Sequence, residues 1–319
     1  MKRMECNFCG SNDKRVFPPG SENSLLISCS KIVKCLNCGL VYADPQPDAA
    51  ALDTIYSQDY YGEKNIRFLP AIESIVRFFR RRRALSIQKY KKGGKILDIG
   101  CGRGYFLECM ERLGWNVFGT EISPIAARRA KEIFPRQVFI GDPLELTFQE
   151  NDYDCISIYH VLEHTQKPKE IIEKTYRLLK PGGLLLVAVP NIDCLSFNLL
   201  RSNWFGFGLP QNNYYFSLGV LSREIQKAGF NISHVRHFSM EQDPFSLLQG
   251  VLNRFVGNDN GLYHSLHRGN RPKQNAMIRA CIYSLAASLF IPCLVMAWIF
   301  SKLSDGATVE IYAFKPHSS

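Results

Sequence analysis

The chain lacks, at its start, the apolar run that a secretory signal requires: its first six residues read Met-Lys-Arg-Met-Glu-Cys. Without such a signal we expect a cytoplasmic protein, because export needs that run and stable disulfides need an oxidising compartment. The 11 cysteines are therefore expected to be thiols or metal ligands, and a disulfide framework is excluded.

Acidic residues are also in short supply, with 29 Asp and Glu against 39 Lys and Arg, a formal net charge of +10. This excess favours a polyanionic partner such as nucleic acid, phospholipid or a phosphate-bearing substrate. Five arginines between Arg77 and Arg83 supply half of it, on a segment, 72–85, whose apolar spacing predicts a helix. Two interpretations stay open, a solvated helix face or a patch that binds anionic lipid or substrate phosphate.

The most informative segment is residues 95–104, Lys-Ile-Leu-Asp-Ile-Gly-Cys-Gly-Arg-Gly. An apolar strand is followed by glycine at every second position, and helical apolar spacing begins after them. Glycine lets the backbone approach a ligand closely, because it has no Cβ and tolerates positive φ. The order of strand, glycine turn and helix predicts a nucleotide site. The dinucleotide fingerprint G-x-G-x-x-G is not matched, since Tyr105 stands where its third glycine would be.

A second apolar strand, residues 116–121, ends in Glu121, 21 residues after Gly100. A carboxylate at this distance can accept hydrogen bonds from both hydroxyls of a ribose. Further apolar strands, alternating with helical segments, are predicted at residues 137–141, 154–159 and 184–189. This alternation predicts an α/β fold with a parallel sheet buried on both faces.

The motif D-x-G-x-G-x-G, the acid Glu121 and the phrase Leu-Leu-Lys-Pro-Gly-Gly before the fifth strand resemble class I S-adenosylmethionine-dependent methyltransferases. The resemblance covers about residues 93–238 and the last dozen. It implies a Rossmann-like, seven-stranded, mostly parallel sheet and S-adenosylmethionine as the cofactor, with Asp142 recognising the adenine amino group. The implied cofactor-binding residues are Asp98, Gly100, Gly102, Gly104, Glu121, Asp142 and Tyr159.

Two knuckles of the same design occur near the start, Cys6-Asn7-Phe8-Cys9-Gly10 and Cys35-Leu36-Asn37-Cys38-Gly39. Four thiolates at this spacing can surround one Zn²⁺ tetrahedrally and leave no open position for chemistry. The sequence therefore predicts a structural zinc ribbon, with Cys29 as a weaker alternative ligand. Four unrelated reduced cysteines are the other interpretation. The predicted ligands are Cys6, Cys9, Cys35 and Cys38.

The ribbon continues as Cys-Gly-Leu-Val-Tyr-Ala-Asp-Pro-Gln-Pro and, further on, Tyr60-Tyr61. This run resembles the N-terminal part of a bacterial methyltransferase group whose members often accompany cell-surface polysaccharide or sugar biosynthesis. The resemblance implies a sugar or lipid-linked glycan acceptor, methylated on oxygen or, as the weaker expectation, on carbon.

Ligands of open parallel sheets bind beyond the carboxyl ends of the strands, so the loops after the fourth and fifth strands should face the methyl acceptor. The first of these loops reads His160-Val161-Leu162-Glu163-His164. Histidine is the natural base near neutral pH. We expect His164 to be the catalytic base, with Glu163 orienting it and His160 as the second candidate. A His164 that only caps a helix or bonds to the backbone is the alternative.

The second loop, residues 190–216, is long and rich in aromatics and glycine, which predicts a lid that excludes water. Related sequences usually carry Pro-Arg-His-Leu-Tyr-His-Phe-Ser where residues 210–217 read Pro-Gln-Asn-Asn-Tyr-Tyr-Phe-Ser. The changes to Gln211, Asn212 and Asn213 leave open a different acceptor or a catalytically inactive, cofactor-binding scaffold.

Residues 280–300 form a 21-residue apolar run without charge, long enough to span a membrane. The strands expected on either side, 231–238 and 308–314, should lie in one sheet, which a single crossing would prevent. Pro292 predicts a kinked or broken helix. The run is therefore interpreted as an insertion into one leaflet of an anionic membrane, as a helical hairpin or as a buried dimer surface.

Taken together, these patterns predict a zinc ribbon over residues 1–47, a helical connector with the arginine cluster over 48–92, and a methyltransferase domain over 93–319. The apolar insertion occupies about residues 275–303. We expect a methyltransferase of surface-polysaccharide biosynthesis, cytoplasmic or peripheral on the inner face of the cytoplasmic membrane. The alternative is an enzyme that recognises nucleic acid or protein through its ribbon. Nucleic acid is disfavoured because the Asn-Pro-Pro-Tyr type of motif, which adenine-modifying relatives use, is absent after the fourth strand.

Overall fold

The computed structural model describes residues 4–17, 31–46, 70–207, 211–256, 260–266 and 276–317. The expectations for Cys29, for Tyr60-Tyr61, for connector residues 48–69 and for lid residues 208–210 lie outside these ranges.

Eleven strands lie within the described residues. In chain order they are β1 (Lys14–Val16), β2 (Lys31–Cys35), β3 (Val41–Asp44), β4 (Lys95–Ile99), β5 (Asn116–Glu121), β6 (Val138–Ile140), β7 (Tyr153–Tyr159), β8 (Leu179–Pro190), β9 (Tyr214–Tyr215), β10 (Asn231–Arg236) and β11 (Thr308–Phe314). Seven of them form the central sheet in the order β10-β11-β8-β7-β4-β5-β6. The strands from β8 to β6 run parallel, and β11 is antiparallel to both of its neighbours. The predicted seven-stranded, mostly parallel sheet is confirmed.

Helices cover both faces of this sheet, as its uniformly apolar strands require. They are α1 (Pro70–Ile87), α2 (Tyr105–Arg112), α3 (Pro124–Ile133), α4 (Pro168–Leu178), α5 (Leu195–Leu200), α6 (Leu218–Lys227), α7 (Asp243–Val256), α8 (Gly261–Leu266) and α9 (Ala276–Lys302). In β8 every side chain from Leu184 to Val189 is completely buried. Helix α3 begins as predicted, because the Ser123 hydroxyl accepts a hydrogen bond from the Ala126 amide at 3.3 Å and Pro124 takes the first helical position.

A second, four-stranded sheet has the order β1-β2-β3-β9. Its first three strands come from the cysteine-bearing N-terminal segment, whereas β9 comes from the lid between residues 190 and 216. Residue pairs Val41–Tyr215 and Tyr42–Tyr214 join β3 to β9. The N-terminal segment is therefore joined to the main body by strand pairing in a shared sheet. The lid itself contains α5, two single-turn helices at 201–203 and 205–207, and β9.

Helix α9 corrects the expected break at Pro292 and excludes the helical hairpin, because one continuous helix runs through this proline. Its strands on either side, β10 and β11, are neighbours in one sheet, as predicted. One side of α9 packs against α7, where Ile282, Cys293 and Ala297 are buried among α7 residues. This burial holds the helix together across a position that lacks one backbone donor.

Candidate active site

The carboxyl ends of β4, β5, β6, β7 and β8 meet at one edge of the sheet. The glycine turn after β4 has positive φ at Gly100 (78°), Gly102 (51°) and Gly104 (76°). A Cβ on Gly100 would lie 2.2 Å from a Val161 methyl group, so this turn presses directly on the loop after β7. A Cβ on Gly102 would meet only the Glu121 carboxylate, at 4.0 Å, so the space in front of Gly102 is open to a ligand.

Glu121 ends β5 beside this turn. Its Oε2 accepts a hydrogen bond from the Gly102 amide and its Oε1 from the Ser123 amide, both at 3.0 Å. Burial raises the pKa of Glu121 above its ordinary value, although these amides favour the carboxylate. Asp142 follows β6, where its Oδ1 accepts the Leu144 amide at 2.8 Å. An open glycine cradle with a fixed carboxylate fits the nucleoside part of S-adenosylmethionine.

Asp98 lies near the end of β4, just before the glycine turn, and is buried, with only 2% of its surface exposed. The Ser157 hydroxyl donates to its Oδ1, and the Arg83 guanidinium lies 3.8 Å from its Oδ2. Burial raises the pKa of Asp98, which Arg83 and Ser157 oppose. Arg83 also stacks on the rings of Phe106 and Tyr159, at 3.8 and 4.4 Å from their centres. Asp98 therefore shapes the turn through buried partners that the sequence motif does not reveal.

The arginine cluster of α1 is divided between the interior and the surface. Arg83 is bound to Asp98, and Arg80 donates to Glu241 at 2.6 Å, whereas Arg77, Arg81 and Arg82 are exposed. Tyr159, which the resemblance placed with the cofactor, donates its hydroxyl to Glu310 at 2.8 Å. Burial raises the pKa of this phenol well above its ordinary value, so Tyr159 is neutral here.

His160 and Glu163 form a pair at the end of β7, the strand at the centre of the site. His160 has a φ of 55°, a strained value for a residue with a side chain, and such strain is typical of functional sites. Its Nδ1 lies 3.1 Å from Glu163 Oε1, while its Nε2 is buried with no hydrogen-bond partner among the described residues. Burial alone would raise the pKa of Glu163, but the His160 hydrogen bond and the two neighbouring histidines hold it below its ordinary value.

His164 has different surroundings. Its Nδ1 lies 3.0 Å from the carbonyl oxygen of Gln211 in the lid. The structure thus brings Glu163 to His160, whereas the sequence favoured Glu163 with His164. No spacing rule in the sequence singles out the observed pair, because His160 precedes the single helical turn at 162–164 and has a positive φ.

Asn213 is a site residue that sequence reasoning missed. Its side chain is completely buried, and its Nδ2 donates to the carbonyl oxygens of His164 (2.8 Å) and Thr165 (3.3 Å). Its backbone amide donates to the Glu163 carbonyl at 2.8 Å. No local sequence pattern predicts these contacts, because they join residues about 50 positions apart in the chain.

The predicted metal ligands lie together. The sulfurs of Cys6, Cys9, Cys35 and Cys38 are all within 4.8 Å of one another. Cys6 Sγ is 3.4 Å from Cys38 Sγ, and Cys9 Sγ is 3.6 Å from Cys35 Sγ. Zinc–sulfur bonds of about 2.3 Å in a tetrahedron separate the sulfurs by about 3.8 Å, so this donor set fits Zn²⁺.

Comparison with known proteins assigns the middle of the chain. A family described as a methyltransferase domain matches residues 70–235, more than half of the chain. Among curated relatives, the ubiquinone biosynthesis O-methyltransferase of Chelativorans sp. (strain BNC1) is 32% identical over 144 residues, 43% of this chain and 57% of the relative. The mitochondrial ubiquinone biosynthesis O-methyltransferase of Schizosaccharomyces pombe is 31% identical over 124 residues, 37% and 43% of the two chains. The chain spans about half the length of these curated relatives.

Solved structures resemble it at lower identity. A SAM-dependent methyltransferase from Archaeoglobus fulgidus is 19% identical with a TM-score of 0.49, over 75% of this chain and 94% of that one. Phosphoethanolamine N-methyltransferase 2 of Haemonchus contortus, in complex with S-adenosyl-L-methionine, is 20% identical with a TM-score of 0.47, over 74% and 53% of the two chains.

The curated relatives correct one expectation. A sugar or lipid-linked glycan acceptor in cell-surface polysaccharide biosynthesis is wrong, since these relatives are named for ubiquinone biosynthesis. That expectation depended on the run from Cys6 to Tyr61, which precedes the matched family segment, 70–235.

Proposed function

The chain belongs to the methyltransferase domain family as a class I S-adenosylmethionine-dependent methyltransferase, and we propose that the group it methylates is a hydroxyl oxygen. The observation that carries the proposal is the His160–Glu163 pair at the end of β7, with a buried imidazole nitrogen that has no partner among the described residues. The names of the curated relatives support oxygen as the acceptor atom and favour a phenolic hydroxyl on a quinone precursor.

The residues that would hold the cofactor are Gly102, Glu121 and Asp142, at the ends of β4, β5 and β6. S-adenosylmethionine, when bound, supplies a methyl group activated by a positively charged sulfur. The protein then has to align the acceptor, exclude water and remove one proton. The lid supplies the exclusion of water, through buried aromatic side chains such as Trp204 and Phe207.

His160 is the proposed proton acceptor. In this mechanism Nδ1–H of the imidazole donates a hydrogen bond to the Glu163 carboxylate, which leaves Nε2 with its lone pair available. Nε2 would take the hydroxyl proton of the acceptor as the acceptor oxygen takes up the methyl group and the bond between that group and sulfur breaks. The positive charge that then develops on the imidazole is stabilised by Glu163, whose pKa is held low. His164, the base favoured by the sequence, is the second candidate.

Calorimetry and a labelled-methyl assay test this proposal. We expect S-adenosylmethionine to bind the full chain with micromolar affinity, and label to move to a catechol carrying a short isoprenoid tail. Absence of cofactor binding would contradict the enzyme itself. Binding with methylation of amines or carbons, and not of hydroxyls, would contradict the proposed acceptor atom.

We also propose that the enzyme is cytoplasmic and attaches to the surface of an anionic membrane through α9. The segment Arg279–Lys302 is long and apolar enough to cross a membrane by length and composition alone. Ile291 and Trp298 have 60% and 51% of their surface exposed, on the side away from α7. Lys302 lies over the Trp298 ring at 5.4 Å, so a cation marks the end of the apolar face. Attachment to one leaflet fits β10 and β11 lying side by side, and a quinone precursor would be found there.

Flotation with anionic liposomes tests this attachment. We expect the wild-type chain to float and the double variant Ile291→Gln/Trp298→Gln to stay in the soluble fraction. Leu36→Gln is the matched control, because Leu36 is 58% exposed on the N-terminal segment and far from α9 in sequence. Equal flotation of wild type and double variant would contradict attachment through α9.

The cysteine cluster is proposed to hold one structural Zn²⁺. Four sulfur ligands close the coordination sphere, so the metal would contribute to folding and not to the reaction. Metal analysis should find one zinc per chain, lost in Cys38→Ser and kept in Cys109→Ser, whose cysteine lies outside the cluster. Zinc in neither, or in both, would contradict this assignment.

A further inference from the structure

The lid residues 211–216, called the strap below, lie between the cysteine-bearing N-terminal segment and residues 160–166, called the acceptor loop. On one side, the strap pairs with β3 through Tyr214 and Tyr215, and the Ala43 amide donates to the Asn213 carbonyl at 2.9 Å. The strap is thus an edge strand of the N-terminal sheet.

On its other side, the strap holds the acceptor loop. Asn213 donates to the carbonyls of Glu163, His164 and Thr165, and the Tyr214 hydroxyl donates to the Gln166 carbonyl at 2.8 Å. These bonds take the place of a regular sheet or helix ladder for four consecutive carbonyls. The position of the acceptor loop therefore depends on where the strap lies.

The cysteine cluster is directly connected to this arrangement. Cys38 precedes β3 by only three residues, and the Cys35 amide bonds to the Leu40 carbonyl at 2.8 Å, which closes the knuckle onto the strand. The other knuckle touches the strap itself, where the rings of Phe8 and Phe216 stack at 5.9 Å.

The same knuckles also bind the helices beside the acceptor loop. The Asn7 side chain donates to Glu170 and accepts the Lys169 amide, both at 3.1 Å, at the start of α4. Arg223 of α6 donates to the Cys38 carbonyl at 2.8 Å. Both knuckles are thus fixed against the methyltransferase body on the acceptor side of the site, and the contacts described here do not include the glycine turn or Glu121.

We propose that metal ligation by the four cysteines positions the acceptor loop through the strap, with Asn213 as the positioning residue that connects them. This inference rests on the proposed function only for the roles of His160 and Glu163; the mechanical connection itself does not require methyl transfer. Val33, Leu40 and Tyr42 of the N-terminal segment also pack in the main core, so the metal is not its only support. Loss of the metal would loosen the two knuckles first, then β3 and the strap that pairs with it, then the loop.

Hydrogen exchange on the full, zinc-loaded chain tests the proposal without any acceptor. On removal of zinc by a chelator, we expect amide exchange of residues 160–166 to accelerate at least tenfold, while residues 96–99 of β4 keep their protection. The dissociation constant of S-adenosylmethionine should change less than twofold. If residues 31–46 lose protection and 160–166 do not, the coupling is wrong.

A pair of variants keeps the test decisive if zinc removal unfolds the whole chain. Asn213→Leu removes the bonds to the His164 and Thr165 carbonyls with zinc still bound. Asn212→Leu is the matched control, because Asn212 is also buried but donates to the Gly206 carbonyl within the lid. We expect faster exchange of the acceptor loop, and shifted imidazole NMR signals of His160 and His164, in Asn213→Leu alone. The same response in both variants, or in neither, overturns the proposal. Failure of S-adenosylmethionine to bind would instead contradict the proposed function. The hydrogen-exchange comparison of the two variants would still test the connection between the strap and the acceptor loop.

Discussion

The cofactor half and the acceptor half of the site are built in different ways. The cofactor half is a short stretch of chain, residues 98–142, whose glycine turn and acid meet through local bonds such as that from the Gly102 amide to the Glu121 carboxylate. The acceptor half gathers the loop after β7, the strap and a separate N-terminal sheet, segments up to about 170 residues apart. One half is defined by a contiguous motif, the other by long-range packing.

The two halves also differ in the kind of group that holds them in place. A nucleoside can be held by backbone geometry and one carboxylate, which any sequence with the same glycines can provide. The acceptor half relies on side chains such as Asn213, which stands where similar sequences carry leucine and donates to the His164 and Thr165 carbonyls. This departure in the lid therefore has a structural use.

The variant His160→Gln tests whether the two halves act separately, because it should affect only the acceptor half. Loss of the proton acceptor is expected to lower kcat by about 10² to 10⁴, with the S-adenosylmethionine dissociation constant unchanged. Labelled-methyl transfer and calorimetry measure the two effects. His234→Gln, on β10, is the control and should keep full activity. A kcat within threefold of wild type would assign the proton to another group, with His164 tested next.

Glu121→Gln should do the reverse. The charge-assisted hydrogen bonds of this carboxylate to a ribose contribute about 2 kcal/mol, so cofactor affinity should fall about 30-fold. At saturating cofactor, kcat should stay near the wild-type value. The exposed Glu111→Gln on α2 controls for loss of one charge. A tight-binding Glu121→Gln with low kcat would show that the two halves are not separable.

The difference between the cofactor half and the acceptor half also determines which features could be predicted from the sequence. The strand that carries Asp98, the acid Glu121 and the four cysteines follow from local spacing. The parallel sheet follows from the alternation of apolar strands and helices, and its seven strands were implied by the resemblance to class I methyltransferases. The pairing of β3 with β9, the Arg83–Asp98 contact and the role of Asn213 could not be predicted, because no local pattern records which remote backbone a buried amide will meet. The continuity of α9 through Pro292 depended likewise on packing against α7.

Gly104→Ala probes how strictly the glycine turn is built. Gly104 has a φ of 76° and a Cβ there would lie 2.9 Å from the Ala130 Cβ, so both backbone strain and overlap with α3 oppose the change. We expect the free energy of unfolding to fall by about 2 kcal/mol. Gly219→Ala in α6 is the control, since a Cβ there meets nothing within 4 Å and should stabilise by about 0.5 kcal/mol. Urea unfolding measures both, and a neutral Gly104→Ala would contradict the required conformation.

Asp243, at the start of α7 behind the acceptor half, should make the free energy of unfolding depend on pH. Burial raises its pKa to about 8, and the charge of Glu310 adds to this, against the bonds from Thr308 and Ser239. The folded chain therefore keeps this proton up to about pH 8, whereas the unfolded chain loses it near pH 4, so the linked stability falls as pH rises between these values. Relative to Asp243→Asn, wild type should lose at most about 1.4 kcal/mol of unfolding free energy per pH unit between pH 5 and 8, as measured by urea unfolding.

Asp154→Asn is the control. Burial alone would raise the pKa of Asp154, but Lys180 and the Lys95 amide hold it below its ordinary value. Both states are then ionised above pH 5, and the Asp154→Asn difference should be flat. A flat difference for Asp243→Asn as well would mean that this carboxyl is ionised in the folded chain.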